Sequence, residues 1–141
     1  MGKLKTKFVL TLEVAKVISE AAEAEAERNN WAVAIAVVGD NGELIHFVKM
    51  DNATNPATDL AKKKASHAAN YRRNTAYHEK FLSEGENGVL CLPDSMPIEG
   101  GLFLMYEGNV IGAIGVSGVA SDDDGRIALK GVEAFEKWIK D

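Results

Sequence analysis

The chain has 141 residues, 46% hydrophobic and 26% charged, a balance that fills one globular domain over residues 1–141 and excludes wholesale disorder. Its formal net charge of −5 argues against a nucleic-acid partner, and a single cysteine, Cys91, excludes an intrachain disulfide or a cysteine-based zinc cluster. Residues 8–12 are too short for a signal-peptide core and residues 31–38 too short for a membrane span, so a cytoplasmic protein with no membrane partner is expected.

Thr11 suits the N-cap of a first helix running to about Asn29, with Val14, Ile18, Ala21 and Ala22 at helical spacing and Glu20, Glu23 and Glu27 opposite. The β-branched run WAVAIAVV (31–38) predicts a buried strand, and LIHFVKM (44–50) its return. Between them stands Asn41-Gly42, the pair favoured by two-residue hairpins because both central residues need positive φ. Pro56 then opens a helix over 57–72, with small residues Ala57, Ala61, Ala65 and Ala68 on a face able to lie close to a sheet. A second face of that helix carries Leu60, Lys64, His67 and Tyr71.

A short helix over 75–82 follows, then loops around the apolar run 89–92. Residues 102–106 and 110–116 read as a second hairpin with a Gly108-Asn109 turn. Ser121 is expected to cap a last helix whose first turn holds Asp122, Asp123 and Asp124 at the positive end of the dipole. Ala128, Val132, Phe135 and Ile139 form its apolar stripe. The order is α-β-β-α-α-β-β-α, so the fold class is α+β with an antiparallel sheet and flanking helices.

Several side chains invite chemistry. Arg72 and Arg73 complement a helix C-terminus and can clamp a carboxylate or phosphate, although neighbours on a helix diverge by about 100° and one of the two at most faces a given ligand. His67 sits one turn from Tyr71 and one from Lys64, an arrangement open to a haem axial ligand, a divalent ion, a general base or a plain hydrogen-bonded residue. His46 lies mid-strand and His78 beside Glu79, and the three histidines show no HExxH-type spacing. Glu99 precedes Gly100 and Gly101, where the backbone can approach a ligand and the carboxylate can accept a proton. Gly112, Gly115 and Gly118 give GxxGxxG, not the dinucleotide fingerprint, and read as packing glycines.

Four blocks carry a resemblance: LTLEVAKVISEAAEAEA with WAVAIAVV; GELIHFVKMD; ATDLAKKKASHAANYRRNT; and PIEGG followed by EGNVIGAIGVSGVASDDD. Together they resemble the GlcG/HbpS family, also found as the C-terminal domain of PduO-type proteins. The resemblance implies a profilin-like α+β domain with a five-stranded antiparallel sheet, forming homo-oligomers from dimers to octamers. It further implies haem or another tetrapyrrole as ligand in an inter-helix pocket, lined or supported by Asp59, Lys64, Arg72, Arg73, Glu99, Gly100 and Gly101; Tyr71, one turn from His67, is a further candidate for ligand binding from its spacing. Three positions depart from the pattern: His46 replaces a small residue, His67 a threonine and Asn74 a proline.

Three functions follow. The first is a tetrapyrrole binder with arginine on the propionates and His67 or Tyr71 near the iron, His67 being the candidate metal ligand. The second is an enzyme on a small carboxylate, with His67, Glu99 and Lys64 moving protons and an arginine holding the anion. The third is an oligomeric accessory protein without a ligand.

Overall fold

The computed structural model describes residues 2–141. Its elements run α1 (Leu12–Arg28), β1 (Ala34–Gly39), β2 (Leu44–Lys49), α2 (Asn55–Tyr71), α3 (Thr75–Ser83), a 3-10 turn (Asn87–Cys91), β3 (Gly101–Tyr106), β4 (Asn109–Ser117) and α4 (Ser121–Lys140). The order is the one the sequence predicts. The strand count is not: the sheet has four strands, β2-β1-β4-β3, all antiparallel, where five were expected. The apolar stretch before β3 goes into the 3-10 turn, so among the described residues no fifth strand forms.

The sheet is covered on both faces. Ile35, Val37, Leu104, Ile114 and Val116 meet Val14, Ile18 and Ala22 of α1 and Ile127, Ala128 and Phe135 of α4. On the other face Ala34, Ala36, Val38 and Ala113 meet Ala57, Ala61, Ala65, Ala68 and Ala69 of α2. That second interface is built almost entirely from alanine, so helix and sheet backbones come close. A Cβ on Gly115 would strike the Ala61 carbonyl and the Ala65 amide, which is why only glycine fits there.

Local signals explain most boundaries. Thr11 Oγ1 accepts the Val14 N–H at 3.3 Å, capping α1 as expected. Two turn details differ. In the β1–β2 hairpin only Gly42 has positive φ, and the loop closes through Gly39 N–H to Glu43 O over a longer turn than the Asn-Gly pair implies. In the β3–β4 hairpin Tyr106 pairs with Asn109, so the positive-φ pair is Glu107-Gly108.

The cap of α4 also differs. Ala120 occupies the N-cap, Ser121 lies inside the helix, and Asp124 Oδ1 reaches back to accept the Val119 N–H at 3.2 Å. Of the three aspartates in the first turn, Asp124 is thus turned inward and buried, while Asp122 stays exposed.

Candidate functional site

His67 is completely buried, although it is a ring on a helix surface. The loop leading into β3 folds over it: Met96 N–H donates to His67 Nδ1 at 2.8 Å, and Tyr71 donates its hydroxyl to the Pro93 carbonyl. His67 Nε2 lies 2.9 Å from Nδ1 of His78 on α3. Both nitrogens are therefore engaged within the chain, and the axial-ligand role expected of His67 is not met by the ring as folded. Burial, followed by the neighbouring His78, pushes its pKa down to about 4. Burial and then Arg73 lower that of His78 as well.

Lys64 lies in a different network. Its ammonium, also buried, donates to Asp124 Oδ2 and to the Val116 carbonyl, each at 3.0 Å, tying α2 to α4 across the end of β4. Burial raises the Asp124 pKa to about 6, against the pull of Lys64. Glu99 is half-buried against Gly125 of α4, its pKa raised by burial, then by Glu79 and Asp122. Lys64 also acts on Glu99, pulling its pKa back down, and its ammonium lies beside the adjoining Gly100, whereas His67 hydrogen-bonds to Met96 and His78 instead.

Gly100 and Gly101 serve packing. Gly100 has φ 134°, and a Cβ there would meet Val116 O and the Lys64 side chain; one on Gly101 would strike the Lys64 carbonyl and Thr75.

The arginines separate, but for a different reason than helical divergence: α2 ends at Tyr71, and Arg72 and Arg73 lie at and beyond its cap. Arg73 lies over the Tyr77 ring, 5.1 Å from its centroid. Arg72 is the C-cap of α2 in the left-handed region, φ 55°, a position that usually takes glycine or asparagine. From there it donates to the Asp40 and Ala69 carbonyls at 2.6 and 2.7 Å, fastening the β1–β2 turn to the end of α2.

Beside Arg72 opens a pocket of about 470 Å³ with Lys5, Lys7, Asp40, Asn109 and Val110 in its walls. Lys7 pairs with Asp40 at 2.9 Å and, ahead of Arg72, holds its carboxyl below the usual range. A second pocket, about 350 Å³ and mainly apolar, lies between Val9, Tyr106, Phe135, Trp138 and Ile139. Phe8 and Ile111 line both. The Phe8 ring meets Tyr106 edge to face at 4.8 Å. Of the candidate ligand-binding and catalytic residues named from the sequence, only Arg72 lines this double pocket; Asp59 is exposed on α2. Lys5, Lys7 and Phe8 carry a signal in retrospect, since basic residues alternate ahead of α1 in an acidic chain.

The fold and its pockets define a three-layer α+β domain with an antiparallel sheet and open surface grooves. The chain belongs to the HbpS-like family, described as haem-degrading, whose model matches residues 10–133. Protein GlcG of Escherichia coli K12 is 37% identical over 114 residues, spanning 81% of this chain and 85% of that one. An uncharacterised 15.0 kDa protein of Citrobacter freundii, from the dhaT-dhaS intergenic region, is 30% identical over 141 residues, 97% of this chain and 99% of its own. Among solved structures, a double mutant of Streptomyces reticuli HbpS superposes with TM-score 0.87 at 29% identity, covering 94% of this chain and 91% of that one. A PduOC:Heme complex shares the fold, with TM-score 0.83 at 23% identity over 90% of this chain and 95% of that one. No described helix is long and apolar enough to cross a membrane.

Proposed function

We propose that this chain binds haem or a related tetrapyrrole along the double pocket that meets at Phe8 and Ile111. The observation that carries the reading is the junction of a mainly apolar groove with a cationic one. A tetrapyrrole is a flat apolar ring with ionised carboxylates on one edge, and it needs this pairing of surfaces. Phe8, Tyr106 and Trp138 would flank the ring, while Lys5, Lys7 and Arg72 would hold the carboxylates, arginine in bidentate fashion. When bound, haem supplies a redox-active iron. No histidine lines either pocket; the side-chain oxygens are those of Thr11, Glu13 and Tyr106 in the apolar pocket and of Thr6, Asp40 and Asn109 in the cationic one. The family's description as haem-degrading supports the ligand class.

The test is a hemin titration followed by absorbance on the wild-type chain, Arg72→Gly and His67→Ala. We expect a saturable Soret shift, weakened in Arg72→Gly and kept in His67→Ala. A weak, unsaturable shift identical in all three would sink the reading, and loss in His67→Ala alone would restore that residue as the iron ligand. Self-association into homo-oligomers is part of the proposal, supported by exposed Tyr77, Phe81, Leu90 and Ile98 on and after α3. Light scattering giving a monomer mass at micromolar concentration would refute that part.

A further inference from the structure

The loop between the 3-10 turn and β3 is fastened to α2 at two points, Pro93 through the Tyr71 hydroxyl and Met96 through His67. The two residues between those points, Asp94 and Ser95, face a groove of about 440 Å³. Its opposite wall is a face of α2 bearing Lys62, Lys63, Ser66 and Asn70. None of these six residues lines the double pocket. We propose that this groove binds a small hydroxylated anion, of sugar-acid or sugar-phosphate type.

The lining sets the chemistry. Lys62 and Lys63 both contribute to the lining, on a chain whose net charge is −5, so the groove carries positive charge against the overall field. Lys62 is further placed by the Phe47 ring, 5.3 Å from its ammonium. Asp94 works against a bare anion: an ionised carboxylate only accepts hydrogen bonds. It suits a ligand that brings hydroxyl donors along with its charge. Ser66 donates its own proton to the Gly42 carbonyl at 3.1 Å, which leaves its oxygen as a second acceptor. Asn70, beside Gly42, offers both a donor and an acceptor. Leu90 and Leu92 alone among the lining residues are apolar, too little surface for a macrocycle but enough for one edge of a sugar carbon chain.

The backbone agrees. Asp94 has φ 55°, a conformation that costs a non-glycine residue free energy and persists where its surroundings hold it. The Tyr71 and His67 bonds on either side do so.

The experiment is calorimetric titration of the full chain with gluconate, glucose 6-phosphate and inorganic phosphate. Saturable binding of at least one hydroxylated anion is expected, with inorganic phosphate about tenfold weaker or more. Lys63→Ala should weaken that binding about tenfold, the loss of one charge-assisted hydrogen bond. Asp94→Asn should weaken the hydroxylated anions while inorganic phosphate binds as well or better. A preference for gluconate assigns a carboxylate, the reverse a phosphate. No saturable binding of either sugar anion overturns the proposal, as does phosphate binding equally well or Asp94→Asn lowering all three alike. Melting curves establish that each variant is folded. Hemin binding by Lys63→Ala should be unchanged, so the two sites stand or fall separately.

Discussion

His67 Nε2 and His78 Nδ1 lie 2.9 Å apart, and the direction of that hydrogen bond is set by a third group. Met96 N–H can only donate, so it fixes His67 Nδ1 as acceptor. The neutral ring then carries its proton on Nε2 and gives it to His78, whose own proton sits on Nε2. The chain of donors runs outward from a backbone amide. A proton added to either ring faces another N–H or breaks the Met96 bond.

From this follows a pH dependence whose sign can be worked out. The folded pKa of His67, about 4, is below its ordinary 6.5, so the stability it contributes is present above 6.5 and lost as pH falls through 4. His78, also lowered, acts in the same direction. Asp124 opposes them: its folded pKa, about 6, is above 3.8, so its contribution is present below 3.8 and lost as pH rises through 6. The wild-type chain should therefore show a shallow acid dependence. His67→Gln keeps an acceptor and a donor without titrating. Its stability relative to wild type should improve by about 2 kcal/mol between pH 7 and pH 4.5. Urea denaturation at both pH values measures it, and equal slopes for the two proteins would contradict the assignment.

The buried pair of Lys64 and Asp124 gives a second prediction. Lys64→Met leaves a buried carboxylate without its ammonium, which should cost about 3–5 kcal/mol. Adding Asp124→Asn removes the orphaned charge and keeps an oxygen for the Val119 N–H. The double variant should recover most of the loss, so the cycle shows strong coupling. Additive losses in denaturant would mean that the pair contributes nothing as a pair.

How much of this was legible in the sequence follows from the range of each interaction. Element order and the alanine face of α2 come from local periodicity, and the Thr11 cap from a contact three residues away, so all were readable. The α4 cap was misread because Asp124 is drawn inward by Lys64, a partner 60 residues distant. His67 stood out, but its burial depends on Met96, which lies 29 residues on, across a loop with no period. The double pocket was missed because Phe8 and Trp138 come from opposite ends of the chain and meet only once α1 and α4 share a face of the sheet.

Gly115 tests the closeness of α2 to the sheet. Its added Cβ would meet two backbone atoms, Ala61 O and Ala65 N, and backbone cannot swing aside as a flexible side chain does. Gly115→Ala should cost about 3 kcal/mol, whereas Gly88→Ala, which meets nothing within 4 Å, should be close to neutral. Thermal melts of the two single variants decide the matter; equal midpoints would show that α2 sits farther off the sheet.

Arg72 separates stability from binding. Glycine suits the left-handed C-cap and relieves roughly 1 kcal/mol of backbone strain. Arg72→Gly also loses two hydrogen bonds to the Asp40 and Ala69 carbonyls, each contributing about 1 kcal/mol on exposed or half-buried groups. The terms partly offset and leave a net loss of about 1 kcal/mol, so the variant should melt a few degrees below wild type. Binding of an anionic ring has no such compensation, because the guanidinium is the one planar, bidentate donor in the pocket wall. Hemin affinity should fall about tenfold, with a smaller fall for Lys7→Ala, whose ammonium is already paired with Asp40. If Arg72→Gly melts far below wild type and binds hemin unchanged, the arginine is a clamp for the hairpin and the carboxylate edge of the ligand lies elsewhere.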